Sequence, residues 1–337
     1  MKKIYLLFSA VTLLFITSCK KDSVVDTAVP TTPYISDNSF KIVSYFPSYR
    51  DPEGVSISKY KMLTHLFYAF LNPNPDGSLA TLEQPARFNV VMQRAKANGV
   101  KTGISVSGTK SIFVTMASSA AARNLFVKNV LNFAKTNNLD GVDMDWEYPS
   151  TTDGSADNYV LLMKELSDSL HKYHKFLSAA ITPGVYAGGI RDGLKTEVFP
   201  LVDFFNIMVY DGLGWDKNEP LQHASYDMAT FSLNYWLNTR GMPKEKAVLG
   251  IPAYGKNASN SSKAYRDFVA NNANTSLDSA SIAGVKYYFN GITTTKKKAK
   301  LAKDVGNGVM FWEFYHDDNG AKSIIKAAND TLGRSYN

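Results

Sequence analysis

Residues 140–149 read DGVDMDWEYP, with acids at Asp140, Asp143, Asp145 and Glu147 set among Val142, Met144, Trp146 and Tyr148. Side chains alternate across a strand, so Asp143, Asp145 and Glu147 share one face, with about 6–7 Å between successive Cα atoms of the set. Val142, Met144 and Trp146 take the other face. The pattern predicts a strand that packs an apolar face against neighbouring elements and turns three carboxylates inward. Such carboxylates repel one another and lose hydration, so some must stay protonated or be tightly hydrogen-bonded. As structure this is costly. As chemistry it keeps one acid protonated beside an ionised neighbour.

Seven further apolar runs read as strands, at 41–47, 64–71, 100–107, 176–183, 202–210, 246–252 and 308–314. With 139–148 they make eight. Segments with a helical period lie between them: Phe126, Val130 and Phe133 share one face, as do Tyr159, Leu162 and Leu166. Further helices are predicted around 88–97, 227–237 and 294–305. Strands alternating with helices imply parallel βαβ units. Eight such units over residues 39–334 predict an α/β fold, a (β/α)8 TIM barrel forming a single catalytic domain. A doubly wound open sheet is the alternative, but no Gly-rich phosphate turn follows the first strand. In a barrel the acid line belongs to strand four, and Glu147 falls at its carboxyl end, where barrel enzymes carry their active sites.

The chain has 337 residues, 45% of them hydrophobic and 20% charged, enough for a substantial core. Its net charge of +7 comes from scattered lysines and arginines. The one basic run, Lys296–Lys298, predicts a solvated helix face without the aromatic interleaving of a nucleic-acid surface. The five histidines show no ligand spacing tied to the acids, so no metal and no cofactor are expected. Cys19 is the only cysteine, which excludes an intramolecular disulfide. Lys2 and Lys3 precede an apolar run from Ile4 to Ile16, and ITSC then ends at Cys19. This reads as a signal peptide over 1–18, too short to span a bilayer. ITSC resembles a bacterial lipobox, which implies lipidation at Cys19 and a place on the cell envelope, on the periplasmic side or the surface; the stretch that follows, rich in Ser, Thr, Asp and Pro without periodicity, reads as a flexible tether over 19–38. A monomer is expected, since nothing demands a partner chain.

DGVDMDWEYP resembles the D-x-x-D-x-D-x-E signature of family 18 glycoside hydrolases, the chitinase family. MVYD (208–211), GIPAYG (250–255) and GVMFWEFYHD (308–317) are similar to its strand 6, 7 and 8 motifs; VSYFPSY (43–49) and THLFYAF (64–70) are similar to strands 1 and 2. The resemblance covers about residues 40–332, in order. It implies hydrolysis of β-1,4 bonds beside N-acetylglucosamine with retention, the substrate's acetamido group acting as nucleophile, so that family 18 stands outside the usual two-carboxylate scheme. Position by position it implies Glu147 as general acid and base and Asp145 as the residue that orients the acetamido group. Asp143 would sit deeper and share a proton with Asp145, and Asp140 would be structural. Tyr210 would bond the acetamido oxygen, Asp211 would contact a substrate polar group, and Trp312 would stack beneath the sugar. Met208, Tyr45 and Phe70 would line the pocket, with Ser105 retained from the strand 3 motif and Trp215 and Tyr49 as rim stacking residues.

Departures from the family pattern narrow these expectations. In SVSGT (105–109), Ser107 replaces a glycine and Thr109 stands where a stacking Trp is common. The stretch from Gly255 to Gly308 is too short for the large α+β insertion of some members, which predicts an open, shallow groove and endo-type attack. Other readings stay open. One is an endo-β-N-acetylglucosaminidase acting on N-glycans or peptidoglycan; another is a non-catalytic glycan-binding lipoprotein, which the intact Asp143, Asp145 and Glu147 disfavour.

Overall fold

The computed structural model describes residues 29–336. Seven strands come first: β1 (Lys41–Pro47), β2 (His65–Leu71), β3 (Lys101–Ser107), β4 (Gly141–Asp145), β5 (Phe176–Ile181), β6 (Phe204–Ile207) and β7 (Ala247–Pro252). Four short ones follow, β8 (Tyr254–Asn257), β9 (Ser262–Ala264), β10 (Ser279–Ile282) and β11 (Val285–Tyr288), before β12 (Gly308–Trp312). β1 to β7 and β12 close into a parallel barrel, β12 sealing it between β7 and β1. All eight predicted barrel strands are present. β4 ends at Asp145, so Trp146 and Glu147 lie beyond the strand rather than in it.

The barrel strands are apolar on both faces because both are covered, by helices outside and by packed side chains inside. Val142, Met144 and Trp146 pack outward as predicted: the Trp146 ring stacks on Phe113 at 5.0 Å and meets Tyr159, from helix Ser155–His171, edge-on at 5.5 Å. Inside, His65, Phe67, Phe176 and Phe204 form an aromatic floor, with ring centres 5.2–6.4 Å apart. Gly141 and Gly103 make room for that floor. A Cβ at Gly141 would overlap the Phe176 ring, and one at Gly103 would stand 2.6 Å from Phe67. The acids above the floor therefore sit over a filled interior, not a pore.

Between β7 and β12, β8 to β11 pair antiparallel in the order β10-β11-β8-β9, with helix Tyr265–Ala270 between β9 and β10. This compact insertion stays within the single barrel domain, and its Tyr254 contributes to one wall of the cleft. Two expectations are corrected. Residues 29–38, predicted to be tether, lie against the amino-terminal end of the barrel. Tyr34 stacks on His171 at 4.2 Å, Asp37 pairs with Lys101 at 2.6 Å, and Lys41 Nζ donates to the Asp37 carbonyl at 2.8 Å. Cys19 and the signal segment lie outside the described residues. Finally, Lys298 is no solvated lysine; buried on the inner face of helix Ile292–Val305, it donates to the Ala224 carbonyl and Asn290 Oδ1, both at 2.7 Å. Among the described residues no helix is long and apolar enough to cross a membrane.

Candidate active site

Strand register assembles the acids' surroundings. Asp143 lies opposite Ser105 of β3 and Ser178 of β5, and Asp145 lies opposite Ser107. Asp143 is fully buried and receives four hydrogen bonds, from Ser178 Oγ (2.6 Å), Ser105 Oγ (2.8 Å), the Tyr45 hydroxyl (3.0 Å) and Asn206 Nδ2 (3.2 Å). Burial pushes its carboxyl up while these donors pull it back. Neutral donors occupy the acceptor sites of Asp143, and its charge helps to raise the neighbouring Asp145 carboxyl. Ser105 is corrected. It is fully buried beneath Asp143, out of a substrate's reach, and acts on that carboxylate instead.

Asp145 is 5% exposed, and its Oδ1 has no hydrogen-bond partner among the described residues. Burial raises it well above the ordinary range, and the charges of Glu147 and Asp143 raise it further. Glu147 is open to the cleft, yet crowding by the cleft walls thins its hydration and raises its carboxyl. The Asp211 charge adds to that rise and Tyr148 opposes it. Asp145 and Glu147 therefore titrate as a pair.

Both acids line a 270 Å³ pocket walled by Tyr45, Phe70, Met208, Tyr210, Asp211 and Trp312, all anticipated, and by Ser107, Tyr148 and Tyr254, which were not. Phe70 stacks near-parallel to Trp312 at 5.7 Å, with Tyr45 5.5 Å from the same indole. The peptide bonds Ala69–Phe70, Glu147–Tyr148 and Trp312–Glu313 are cis, all at carboxyl-terminal strand ends. Trp215 does not line this pocket. Its indole packs on Phe231 at 5.4 Å and donates to the Val185 carbonyl at 3.3 Å, because the loop after β6 folds back onto the loop after β5. Tyr49 does not line this pocket either; it is 61% exposed, with the Arg50 guanidinium 4.9 Å over its ring. Asp140 sits at the opposite end of β4, tying it to β3 by accepting from Thr102 N at 2.6 Å.

Asp211 has three partners on its Oδ1: the Tyr254 hydroxyl (2.6 Å), Lys256 Nζ (2.7 Å) and His223 Nδ1 (3.5 Å). Burial works to raise it, but His223, Lys256 and Tyr254 together hold it well below the usual carboxylate range. Tyr254 and Lys256 belong to β8. Their one sequence signal was the GIPAYG stretch that ends beside them; nothing local tied Lys256 to Asp211, 45 positions earlier.

A closed parallel barrel with paired carboxylates over an aromatic-walled pocket at its carboxyl end is the layout of the barrel glycosidases. The chain belongs to family 18 of that class: the family described as Glycosyl hydrolases family 18 matches residues 41–317. It is 30% identical over 278 residues to a probable endochitinase of Caenorhabditis elegans, covering 70% of this chain and 43% of that one. The chain thus spans less than half of that relative's length. The structure of the chitinase ChiB from the chitin utilization locus of Flavobacterium johnsoniae is similar over 87% of this chain and 94% of its own, at 26% identity and a TM-score of 0.72. Human YKL-39, described as a pseudo-chitinase with retained chitooligosaccharide binding, shares the fold at 19% identity and a TM-score of 0.72, over 88% of this chain and all of its own.

Proposed function

We propose that this chain hydrolyses β-1,4 bonds beside N-acetylglucosamine in chitin-type glycans, with retention of configuration, by endo-type attack. The observation that carries the reading is the Asp145–Glu147 pair: two raised carboxyls, one with an unpartnered oxygen, on the wall of a pocket of 270 Å³. Protonated Glu147 gives its proton to the glycosidic oxygen as the C1–O bond breaks. The acetamido oxygen of the same sugar closes onto C1, forming an oxazolinium ion. Its N–H donates to the Asp145 carboxylate, which stabilises the developing positive charge, while Tyr210 holds the acetamido oxygen and Trp312 stacks under the ring. The Glu147 carboxylate then takes a proton from water, whose oxygen attacks C1 and reopens the oxazolinium ring. Two inversions at C1 give net retention.

The test uses the soluble chain beginning after Cys19, with N-acetylglucosamine oligomers followed by proton NMR. The β-anomer should appear first, and Glu147→Gln should abolish product while still binding the oligomer. Release of the α-anomer first would sink the mechanism. Binding without cleavage by the unsubstituted chain would leave a glycan-binding protein instead.

The same reading places the catalytic domain at residues 39–334, behind a signal segment at 1–18 and a lipid anchor at Cys19 that holds it on a bacterial envelope. Fatty-acid labelling of the full chain, lost in Cys19→Ser, is the expected result.

A further inference from the structure

A cleft of 520 Å³ opens beside the catalytic pocket, walled by residues from three distant parts of the chain. Arg50 comes from the loop after β1, Lys263 and Arg266 from β9 and the helix that follows it, and Tyr315 and His316 from the turn after β12. The two cavities have no lining residue in common, but they approach each other at Tyr254 and His316. Glu313, which follows Trp312, accepts from Arg50 Nε at 2.9 Å, and the His316 ring lies 6.4 Å from that of Tyr254.

The charge of this cleft is not balanced. Arg50 is matched by buried Glu313, which also faces His316 at 3.0 Å. Neither Lys263 nor Arg266 forms an ion pair among the described residues, and Asp267 is the one acid lining the cleft with them. Three fixed cations thus face two carboxylates, a net charge of +1 before His316 is counted. The guanidiniums are also held in place. Arg266 lies 4.4 Å and Arg50 5.2 Å from the centre of the Tyr315 ring, and Arg266 spends only one terminal nitrogen, donating to the Gly54 carbonyl at 2.9 Å. A stacked guanidinium with its remaining N–H groups free is pre-organised to grip a carboxylate. A neutral chain crossing the same cleft offers these cations only hydroxyl and acetamido oxygens, weaker acceptors than a carboxylate.

We infer that this cleft is a subsite for a carboxylate carried by the glycan whose neighbouring sugar occupies the catalytic pocket, so that acidic, N-acetylglucosamine-containing glycans are bound in preference to neutral chitin-type chains. The inference rests on the hydrolase reading for what happens next door, but the binding it describes does not need cleavage. The carboxylate has two sources in such glycans, a lactyl ether on a hexosamine or a uronic acid.

The experiment measures binding by calorimetry to the Glu147→Gln chain. The probes are three sets of oligomers of equal length: N-acetylglucosamine alone, alternating with N-acetylmuramic acid, and alternating with glucuronic acid. One acidic set should bind roughly tenfold tighter than the neutral set at low salt, and which one it is identifies the source. That preference should shrink with added salt and largely vanish in Arg266→Gln/Lys263→Gln. Lys263→Gln alone, at an exposed position, should remove part of it and guards against misfolding of the double variant. Equal affinity for neutral and acidic chains, or a preference the substitutions leave untouched, would overturn the inference. Charge-dependent binding with no cleavage of any oligomer by the unsubstituted chain would support the subsite and sink the hydrolase reading. Cleavage of neutral and acidic chains with no charge preference would do the reverse.

Discussion

Asp145 and Asp203 are both aspartates at barrel strands, 5% and 4% exposed, yet they titrate in opposite directions. Burial raises both. At Asp203, near the amino-terminal end of the barrel, it is outweighed by His171 Nε2 at 3.0 Å and by the Leu177 N–H, which donates at 2.7 Å, and the carboxyl ends below its ordinary value. At Asp145, toward the carboxyl-terminal end, neighbouring charges add to burial and one oxygen has no partner. Depth alone does not set a buried acid's behaviour; the donors within reach do. One end of this barrel satisfies its carboxylate as structure, and the other leaves a carboxylate unsatisfied where a substrate N–H can complete it.

Substitutions at the two ends sharpen the contrast. The largest effect is expected at Glu147→Gln, with kcat lowered about 10²–10⁴-fold and oligomer binding kept, measured by steady-state turnover and calorimetry. Asp145→Asn should lower kcat by about 10²–10³-fold. On stability it should act the other way. Its folded carboxyl is raised, so the native state binds more protons than the unfolded chain between the ordinary and the raised value, and stability falls as pH rises through that window. Asp145→Asn should therefore raise Tm at neutral pH, with the gain fading below a pH of about 4.

Asp203→Ala should do the opposite, costing about 1–3 kcal/mol at neutral pH by stranding the buried Leu177 N–H. The folded Asp203 carboxyl is lowered, so its contribution is present above the unfolded value and disappears as pH falls through the folded one. Denaturant titrations at pH 7 and pH 3 read that loss. If both aspartates shift stability in the same direction, the contrast fails.

A smaller effect is expected at Lys256→Met. It leaves the Asp211 charge uncompensated and so raises Glu147, moving the alkaline fall of kcat to higher pH because Glu147 must be protonated to act as the acid. The smallest belongs to Tyr34→Ala, which removes the stack on His171 at the amino-terminal end and should cost about 1 kcal/mol with no change in the pH profile of turnover.

Much of this was legible in the chain. Alternation in DGVDMDWEYP put Asp143 and Asp145 on one face and Val142, Met144 and Trp146 on the other, and apolar runs located the other seven barrel strands. Illegible were the features made by distant segments. Ser105 reads as a motif residue facing substrate, yet register sets it under Asp143. Trp215 reads as a rim aromatic, yet it packs on Phe231 and bonds the Val185 carbonyl, away from the pocket. Lys298 sits in a run of three lysines and turns inward only because of where its helix lies. Residues 29–38 have a linker's composition, but Tyr34 and Asp37 find partners at the amino-terminal end of the barrel.

The amino-acid sequence by itself therefore determined the strand that carries the acids, the class of barrel, and the family to which it belongs. These follow from short-range periodicity and from motifs read in order. Only the tertiary structure decided which carboxylate is partnered and which is left bare, and which cations stand beside the pocket unpaired. Those depend on donors and charges brought together across the barrel from positions tens or hundreds of residues apart, and on the hydration each group loses there.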